Sequence, residues 1–117
     1  MELLPGTLDM LILQTLSLGP RHGYDIARFI QETSEGTFRI LDGALYAALH
    51  RLERAGFVTS HWGLSQRGRR ARFYELTPAG RDAFHQESRN WHRYGVAVAR
   101  VMSARGSMAE PQMAEAD

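Results

Sequence analysis

The stretch DGALYAALHRLERAG, residues 42–56, is the part of the chain from which the fold is predicted. Its apolar residues recur at intervals of three and four, the spacing of one face of an α-helix, at Leu45, Ala48, Leu49 and Leu52. The opposite face carries small and basic residues, namely Gly43, Ala47, His50 and Arg54, with Tyr46 and Arg51 on its flanks. We predict a helix capped by Asp42 and closed by Gly56. Its outer face is either solvent-exposed surface without a binding role or a surface that contacts a large, negatively charged partner.

A more apolar helix is predicted near the start of the chain, with Thr7 as its N-cap. Its main stripe consists of Leu8, Leu11, Ile12 and Leu16, and Met10, Leu13 and Leu18 widen that stripe beyond one face. A helix that is apolar nearly all round is buried on two sides. In so short a chain we expect the second side to meet another subunit.

The elements between these two helices and residue 76 are a second helix and a hairpin. The helix runs from about Gly23 to Ser34, and residues 37–41 form a short strand or an extended link. Two runs rich in β-formers, FVTSHW at 57–62 and ARFYEL at 71–76, predict the two strands of the hairpin. Residues 63–70 lie between the strands and hold two glycines and three arginines, so we expect a long, mobile, basic tip.

The last predicted helix begins with Thr77 as N-cap and Pro78 at the first helical position, and it extends to about Ala104. Its apolar residues form a partial heptad seam, with Phe84, Trp91 and Val98 seven residues apart and Tyr94 and Val101 at intermediate positions. Gly95 costs a helix about 1 kcal/mol relative to Ala, which suggests close packing there. Residues 106–117 are expected to be disordered.

Arginine is concentrated around the predicted hairpin. The formal net charge is only +1, yet residues 54–74 contain no acidic residue and five arginines: Arg54, Arg67, Arg69, Arg70 and Arg72. Each arginine that neutralises a DNA phosphate releases a counterion, so such a run favours nucleic-acid binding. The alternative interpretation of this run of arginines is a solvated basic turn without a role in binding.

Composition and motifs exclude several classes of protein. The chain has no cysteine, and His85 and His92 lie about 10 Å apart along one helix, so we expect neither a metal site nor a cofactor. Phosphate-binding loops and hydrolase motifs are absent, so no enzyme is predicted. The apolar run 8–18 is too short to span a bilayer and the start lacks a basic flank, so we expect a cytoplasmic protein.

The order of the elements predicts a winged helix-turn-helix fold, mainly α with a small β-hairpin (α+β), followed by a long C-terminal dimerisation helix. In this fold the third helix enters the DNA major groove and the hairpin reaches an adjacent groove or the backbone. We predict a DNA-binding domain at 1–80, a dimerisation helix at 81–105 and a disordered tail at 106–117. The predicted DNA contacts are Tyr24, Gly43, Tyr46, Ala47, His50, Arg51, Arg54, Arg67, Arg69, Arg70 and Arg72. For Tyr24, packing and phosphate contact stay equally open.

Three motifs, in this order along the chain, resemble those of the PadR-like transcriptional regulators. They are His22-Gly23-Tyr24, Gly43-Ala44-Leu45-Tyr46 and Leu76-Thr77-Pro78-Ala79-Gly80, and the resemblance extends from about Leu3 to Arg81. It implies a homodimer, joined through its first and last helices, that binds a double-stranded operator and represses a nearby gene. For some members it also implies a small aromatic ligand held between the subunits.

The expected dimer interface consists of apolar residues of the first and last helices: Leu8, Leu11, Ile12, Phe84, Trp91, Tyr94, Val98 and Val101. Two subunits double the number of base contacts, so the operator is expected to be palindromic. Trp91 is expected to pack in the dimer, and a further hypothesis is that two Trp91 side chains sandwich an aromatic effector. Two alternatives stay open: a DNA-binding dimer without an effector, and a winged-helix protein–protein interaction module without specific DNA binding. No membrane partner is expected.

Overall fold

A computed structural model describes Met1, Leu3, Leu4 and residues 6–105. The elements are α1 (Thr7–Ser17), β1 (Arg21–His22), α2 (Gly23–Thr33), α3 (Asp42–Arg54), β2 (Val58–Leu64), β3 (Arg70–Leu76) and α4 (Pro78–Met102). The predicted α+β winged-helix architecture is confirmed, with four helices and a small antiparallel sheet. The predicted disordered tail, 106–117, lies outside the described residues.

The chain divides into two compact units, Met1–Glu87 and the residues from Ser88 onward. The first unit contains α1 to β3 and the start of α4, and it holds the hydrophobic core. The largest of its fully buried apolar side chains are Ile12, Leu16, Ile26, Leu45 and Leu49. Each such burial contributes about 1.5–3 kcal/mol, so the core is the main source of stability for the unit.

Ile12 belongs to this core and not to a subunit interface. Its side chain is 0% exposed, because α1 turns it, together with Leu13 and Leu16, toward the other helices. The prediction that Ile12 contacts a partner subunit is therefore wrong. Leu8 and Leu11 are only half-buried, so part of their surface faces away from the core.

The sheet has the order β1-β3-β2 and is antiparallel throughout. Val58 pairs with Leu76 and both are buried, while Trp62 and Arg72 pair further out on the same face and are exposed. β1 is an element that the sequence analysis missed, because two residues are too few to display an alternating pattern. Residues 37–41 contain no strand, so of the two predicted alternatives the extended link is the one observed.

Two of the three predicted helix caps differ from the structure. The N-cap of α1 is Gly6, at a φ of 84°, and the N-cap of α3 is Leu41, so Thr7 and Asp42 are first-turn residues instead. Asp42 still favours the helix, because an acidic side chain in the first turn interacts with the positive end of the helix dipole. Thr77 caps α4 as predicted, since its Oγ1 accepts from the Gly80 N–H at 3.0 Å and donates to the Gly56 carbonyl at 2.6 Å.

The start of α4 packs at Gly80 against the backbone of Phe57, the residue just before β2. A Cβ built on this residue would overlap the carbonyl oxygen of Phe57. The backbone N–H of Thr77 also donates to that carbonyl, at 3.0 Å. A residue without a side chain is therefore required where α4 meets the backbone of Phe57, which gives Gly80 a steric role.

Candidate nucleic-acid interface

The outer face of α3 is exposed as the spacing predicts. Leu45, Ala48, Leu49 and Leu52 are buried, which turns the small and basic residues toward solvent. Gly43, Ala47, His50 and Arg54 are all exposed. Among the described residues, no atom lies within 4 Å of a Cβ placed on Gly43. This face can therefore approach another surface closely and presents a guanidinium and an imidazole to it.

Arg51, on the flank of α3, is engaged in an ion pair. Its Nη2 donates to Oδ1 of Asp9 in the first turn of α1, at 2.7 Å. That hydrogen bond, together with the charge of Asp9, raises the pKa of Arg51 above its ordinary value. A phosphate that binds Arg51 must compete with this carboxylate, which distinguishes Arg51 from Arg54.

Tyr46, on the other flank, lies over the start of α2. Its ring covers the backbone of Gly23 so closely that a Cβ on that residue would overlap the hydroxyl oxygen. The side chain is nevertheless 44% exposed, so it is supported on one side and open on the other. The glycine of the His-Gly-Tyr motif is thus explained by the need to seat Tyr46.

Tyr24 is largely exposed to solvent at the start of α2. Its ring is 70% exposed and contacts two neighbours at the start of α2. It stacks on His22 with ring centres 6.5 Å apart, and the guanidinium of Arg28 lies 5.9 Å from its centre. His22 is itself held in place, since its Nδ1 accepts from the Asp25 N–H and so caps α2. Tyr24 therefore packs at the surface and leaves its outer side accessible.

The hairpin β2–turn–β3, which we call the wing, has longer strands and a shorter tip than predicted. The turn is Ser65–Arg69, and the Ser65 N–H donates to the Arg69 carbonyl at 2.8 Å. Ser65 also accepts from Gly68 through its carbonyl and from Arg69 through its Oγ. Gly68 has a φ of 76°, which suits glycine. The expectation of an eight-residue mobile tip is corrected to a hydrogen-bonded five-residue turn that exposes Arg67 and Arg69.

The outer half of the wing carries an aromatic and basic cluster. Trp62 is 55% exposed. The guanidinium carbons of Arg70 and Arg72 lie 4.5 Å and 5.8 Å from its ring centres. The register of the hairpin could have indicated this cluster, because Trp62 stands four residues beyond the buried Val58 on the same face of β2.

A cleft of about 660 Å³ separates the tip of the wing from the start of α2. Tyr24 and Arg28 line one wall, and Arg67 and Arg69 line the other. Arg28 is paired with Asp25 at 2.7 Å, and this hydrogen bond raises the pKa of Arg28. The structure thus brings together predicted contact residues from α2 and the wing around one cationic cleft. The predicted contacts of α3 do not line it.

The second unit presents an aromatic pair and several exposed apolar residues of α4. The rings of Trp91 and Tyr94 are stacked with their centres 5.7 Å apart. Val98 and Val101 are also exposed, whereas Phe84, which lies in the first unit, packs partly against the core. Apart from its neighbours in α4, no atom of the described residues lies within 4 Å of a Cβ placed on Gly95, so the close packing expected there is not made among the described residues.

The residues that the structure describes contain no group of three or more histidine or acidic side chains that could hold a metal ion. No helix of the same residues is long and apolar enough to cross a bilayer.

Comparison with known proteins decides the family. The model of the transcriptional regulator PadR-like family matches residues 12–86, which run from α1 into the first half of α4. The chain belongs to the PadR-like family. Both α3 and the wing of this PadR-like chain lie within the matched residues, and Trp91 and the apolar residues that follow it lie outside them.

Individual relatives agree with this assignment. The chain is 42% identical over 59 residues to a transcriptional regulator of Mycobacterium tuberculosis. The matched stretch covers 50% of this chain and 54% of that protein. A transcriptional regulator from Clostridium thermocellum is similar in structure, with a TM-score of 0.73, 28% identity and coverage of 81% of this chain and 89% of that one. A PadR family regulator from Clostridium difficile gives a TM-score of 0.72 and 27% identity, over 84% and 100% of the two chains. This PadR-like chain is therefore a winged-helix transcriptional regulator of a DNA-binding family.

Proposed function

We propose that this PadR-like regulator is a homodimeric repressor that recognises a palindromic operator in the cytoplasm. The observation that supports this most directly is the pairing of an exposed, small and basic face on α3 with a basic wing in the same compact unit. In winged-helix proteins these two elements contact the major groove and the flanking groove or backbone. α3 is accordingly the recognition helix of the proposal.

Each predicted contact residue takes a role that follows from its surroundings. Gly43 and Ala47 allow the backbone of α3 to approach base edges, which His50 and Arg54 can then reach. Tyr46 and Tyr24 can donate their hydroxyl groups to phosphates. Arg51 is a weaker candidate, since Asp9 already binds it. The wing contributes Arg67, Arg69, Arg70 and Arg72.

The arithmetic of DNA binding supports a dimer. Phosphate contacts supply affinity that falls with salt at a slope of about 0.9 per phosphate, but they carry no sequence information. A good bidentate base contact adds about 1–3 kcal/mol of discrimination, and one small domain makes few of these. Two copies on a palindrome double that number. Regulators of this family bind DNA and are typically dimers.

Two sets of residues are proposed for dimerisation. One set lies on α4 and consists of Phe84, Trp91, Tyr94, Val98 and Val101, and the other is the pair of half-buried leucines of α1, Leu8 and Leu11. Exposed aromatic and valine side chains on one helix form an apolar surface of the kind that protein interfaces cover. We further propose that the Trp91 rings of two subunits can hold a planar aromatic effector between them.

A salt titration tests the DNA-binding function. Binding to fragments from upstream of the protein's own gene should weaken steeply as salt rises, and footprinting should reveal two half-sites. Arg54→Ala should weaken operator binding without changing the unfolding transition, whereas Arg81→Ala, an exposed arginine at the start of α4, should leave binding unchanged. Weak, salt-insensitive association would instead favour a protein–protein interaction module.

The effector proposal has its own test. Planar aromatic compounds should quench the tryptophan fluorescence of the wild-type dimer, and Trp91→Ala should abolish that quenching while Trp62 still emits. If no planar compound quenches, or if quenching survives in Trp91→Ala, the dimer binds DNA without an effector at this position.

A further inference from the structure

The indole of Trp62 is exposed to solvent and yet holds two cations. It lies on β2 directly across from Arg72 on β3. The guanidinium carbon of Arg70 is 4.5 Å from the ring centre and that of Arg72 is 5.8 Å. Both lie within the distance of about 6 Å at which the face of an indole attracts a cation. The contact therefore restrains both arginine side chains.

A chain of polar contacts joins the same cluster to the recognition helix. Nε of Arg72 donates to Oγ of Ser60 at 2.9 Å, and that hydroxyl donates to Oε2 of Glu53 on α3 at 2.9 Å. Nη2 of Arg72 also lies 3.9 Å from the Glu53 carboxylate. Arg72 thus ties the wing to α3, and its charge is partly balanced there. Among the described residues, Arg70 contacts no carboxylate, and it is exposed to solvent beside the ring of Trp62.

We propose that Trp62 is a positioning residue for DNA binding, which holds Arg70 over its ring as a preorganised phosphate contact. The inference rests on the proposed function and deepens it. A solvent-exposed arginine loses much rotamer freedom when it binds a phosphate. An arginine already restrained against an indole loses less on binding, so the same contact yields a higher affinity. Glu53 and Ser60 hold Arg72 in place, so the wing meets DNA in one orientation relative to α3.

The test compares two replacements of similar size. Trp62→Phe keeps an aromatic face and Trp62→Leu removes it, while both keep an apolar side chain on an exposed strand. Because phosphate contacts do not depend on sequence, the probe is a mixed-sequence duplex at about 50 mM salt. We expect Trp62→Leu to weaken binding about threefold to tenfold and Trp62→Phe to retain most of the wild-type affinity. Equal unfolding midpoints for the three proteins would show that folding is unaffected.

A double-mutant cycle establishes whether Trp62 acts through Arg70. Arg70→Ala alone should weaken binding, and Trp62→Leu should then add little, because the contact that the indole positions is already gone. Equal losses from Trp62→Leu in both backgrounds would show that the indole contacts DNA itself, which would overturn the positioning role.

A measurement on the free protein separates this inference from the proposed function. The ring current of Trp62 should shift the side-chain protons of Arg70 upfield in the NMR spectrum, and Trp62→Leu should abolish that shift. Normal wild-type DNA binding with an unaffected Trp62→Leu variant would overturn the inference alone. Salt-insensitive binding by the wild-type protein would overturn the proposed function and this inference with it.

Discussion

Arg51 of α3 and Asp9 of α1 form an ion pair, with Nη2 of the arginine 2.7 Å from Oδ1 of the aspartate. The two residues are 42 positions apart in the chain and meet only because α1 packs against α3. Asp9 therefore places a carboxylate beside a surface that is proposed to meet phosphates. Its presence limits how strongly Arg51 can contribute to DNA binding.

Asp9→Asn should raise the affinity for duplex DNA, because it releases Arg51 for a phosphate. Exposed ion pairs are worth little, so the gain should be about twofold to fivefold at low salt. The slope of log affinity against log salt should also steepen by about 0.9, the value for one additional phosphate contact. A fluorescence-anisotropy titration at several salt concentrations measures both quantities.

Asp82→Asn is the matched control for that gain, since it removes one exposed negative charge from α4. It should produce a smaller gain than Asp9→Asn does. In an Arg51→Ala background the two substitutions should have equal effects. A full gain from Asp9→Asn in that background would contradict the role assigned to the ion pair.

Gly80→Ala should destabilise the first unit, because the new methyl group would overlap the carbonyl oxygen of Phe57. Overpacking against backbone typically costs about 1–3 kcal/mol. Gly43→Ala is the control, since it lies on an exposed helix face with open space among the described residues and should stabilise by up to about 1 kcal/mol. Urea unfolding of the three proteins measures these differences, and an unchanged midpoint for Gly80→Ala would contradict the steric role.

Tyr74 should make the protein lose stability at alkaline pH. Burial raises the pKa of its phenol, with a further contribution from the nearby Glu53. The unfolded chain releases this proton at about pH 10, whereas the folded protein retains it to a higher pH. The contribution is therefore complete below pH 10 and is lost as the pH rises through the folded pKa.

Tyr74→Phe should flatten that alkaline decline, because the variant has no proton to release there. Tyr24→Phe, at an exposed tyrosine, should leave the decline as in the wild type. Urea unfolding between about pH 9 and pH 11 gives the slopes to compare. Identical slopes for the wild type and Tyr74→Phe would show that Tyr74 does not govern stability in this range.

Gly95→Ala tests the proposed dimer. Within the described protomer a methyl group at this position meets no atom, so helix propensity alone predicts a gain of about 1 kcal/mol in the stability of α4. If a partner helix packs closely at Gly95, the same methyl group should weaken dimerisation. Analytical ultracentrifugation should therefore show a larger dissociation constant for Gly95→Ala, and an equal or smaller constant would place the interface elsewhere.

Much of this fold can be predicted from local patterns in the sequence. The three- and four-residue spacing of Leu45, Leu49 and Leu52 identifies α3 because a helix brings such residues onto one face. Thr77 and Pro78 mark the start of α4, since their chemistry suits the first turn. The exposed face of α3 and the basic wing follow from the same reasoning, because each depends only on residues close together in the chain.

Sequence alone therefore determined the order of the helices, the hairpin, the core face of α3 and the concentration of arginine that suits DNA. The tertiary structure decided the features that depend on residues distant in the chain. These are the pairing of β1 with β3, the burial of Ile12 in the core, and the ion pair between Arg51 and Asp9. It also decided that Trp62 is exposed to solvent and lies beside two arginines. The physical reason is that periodicity reports which way a side chain points from its own element, whereas a contact depends on which other element packs there.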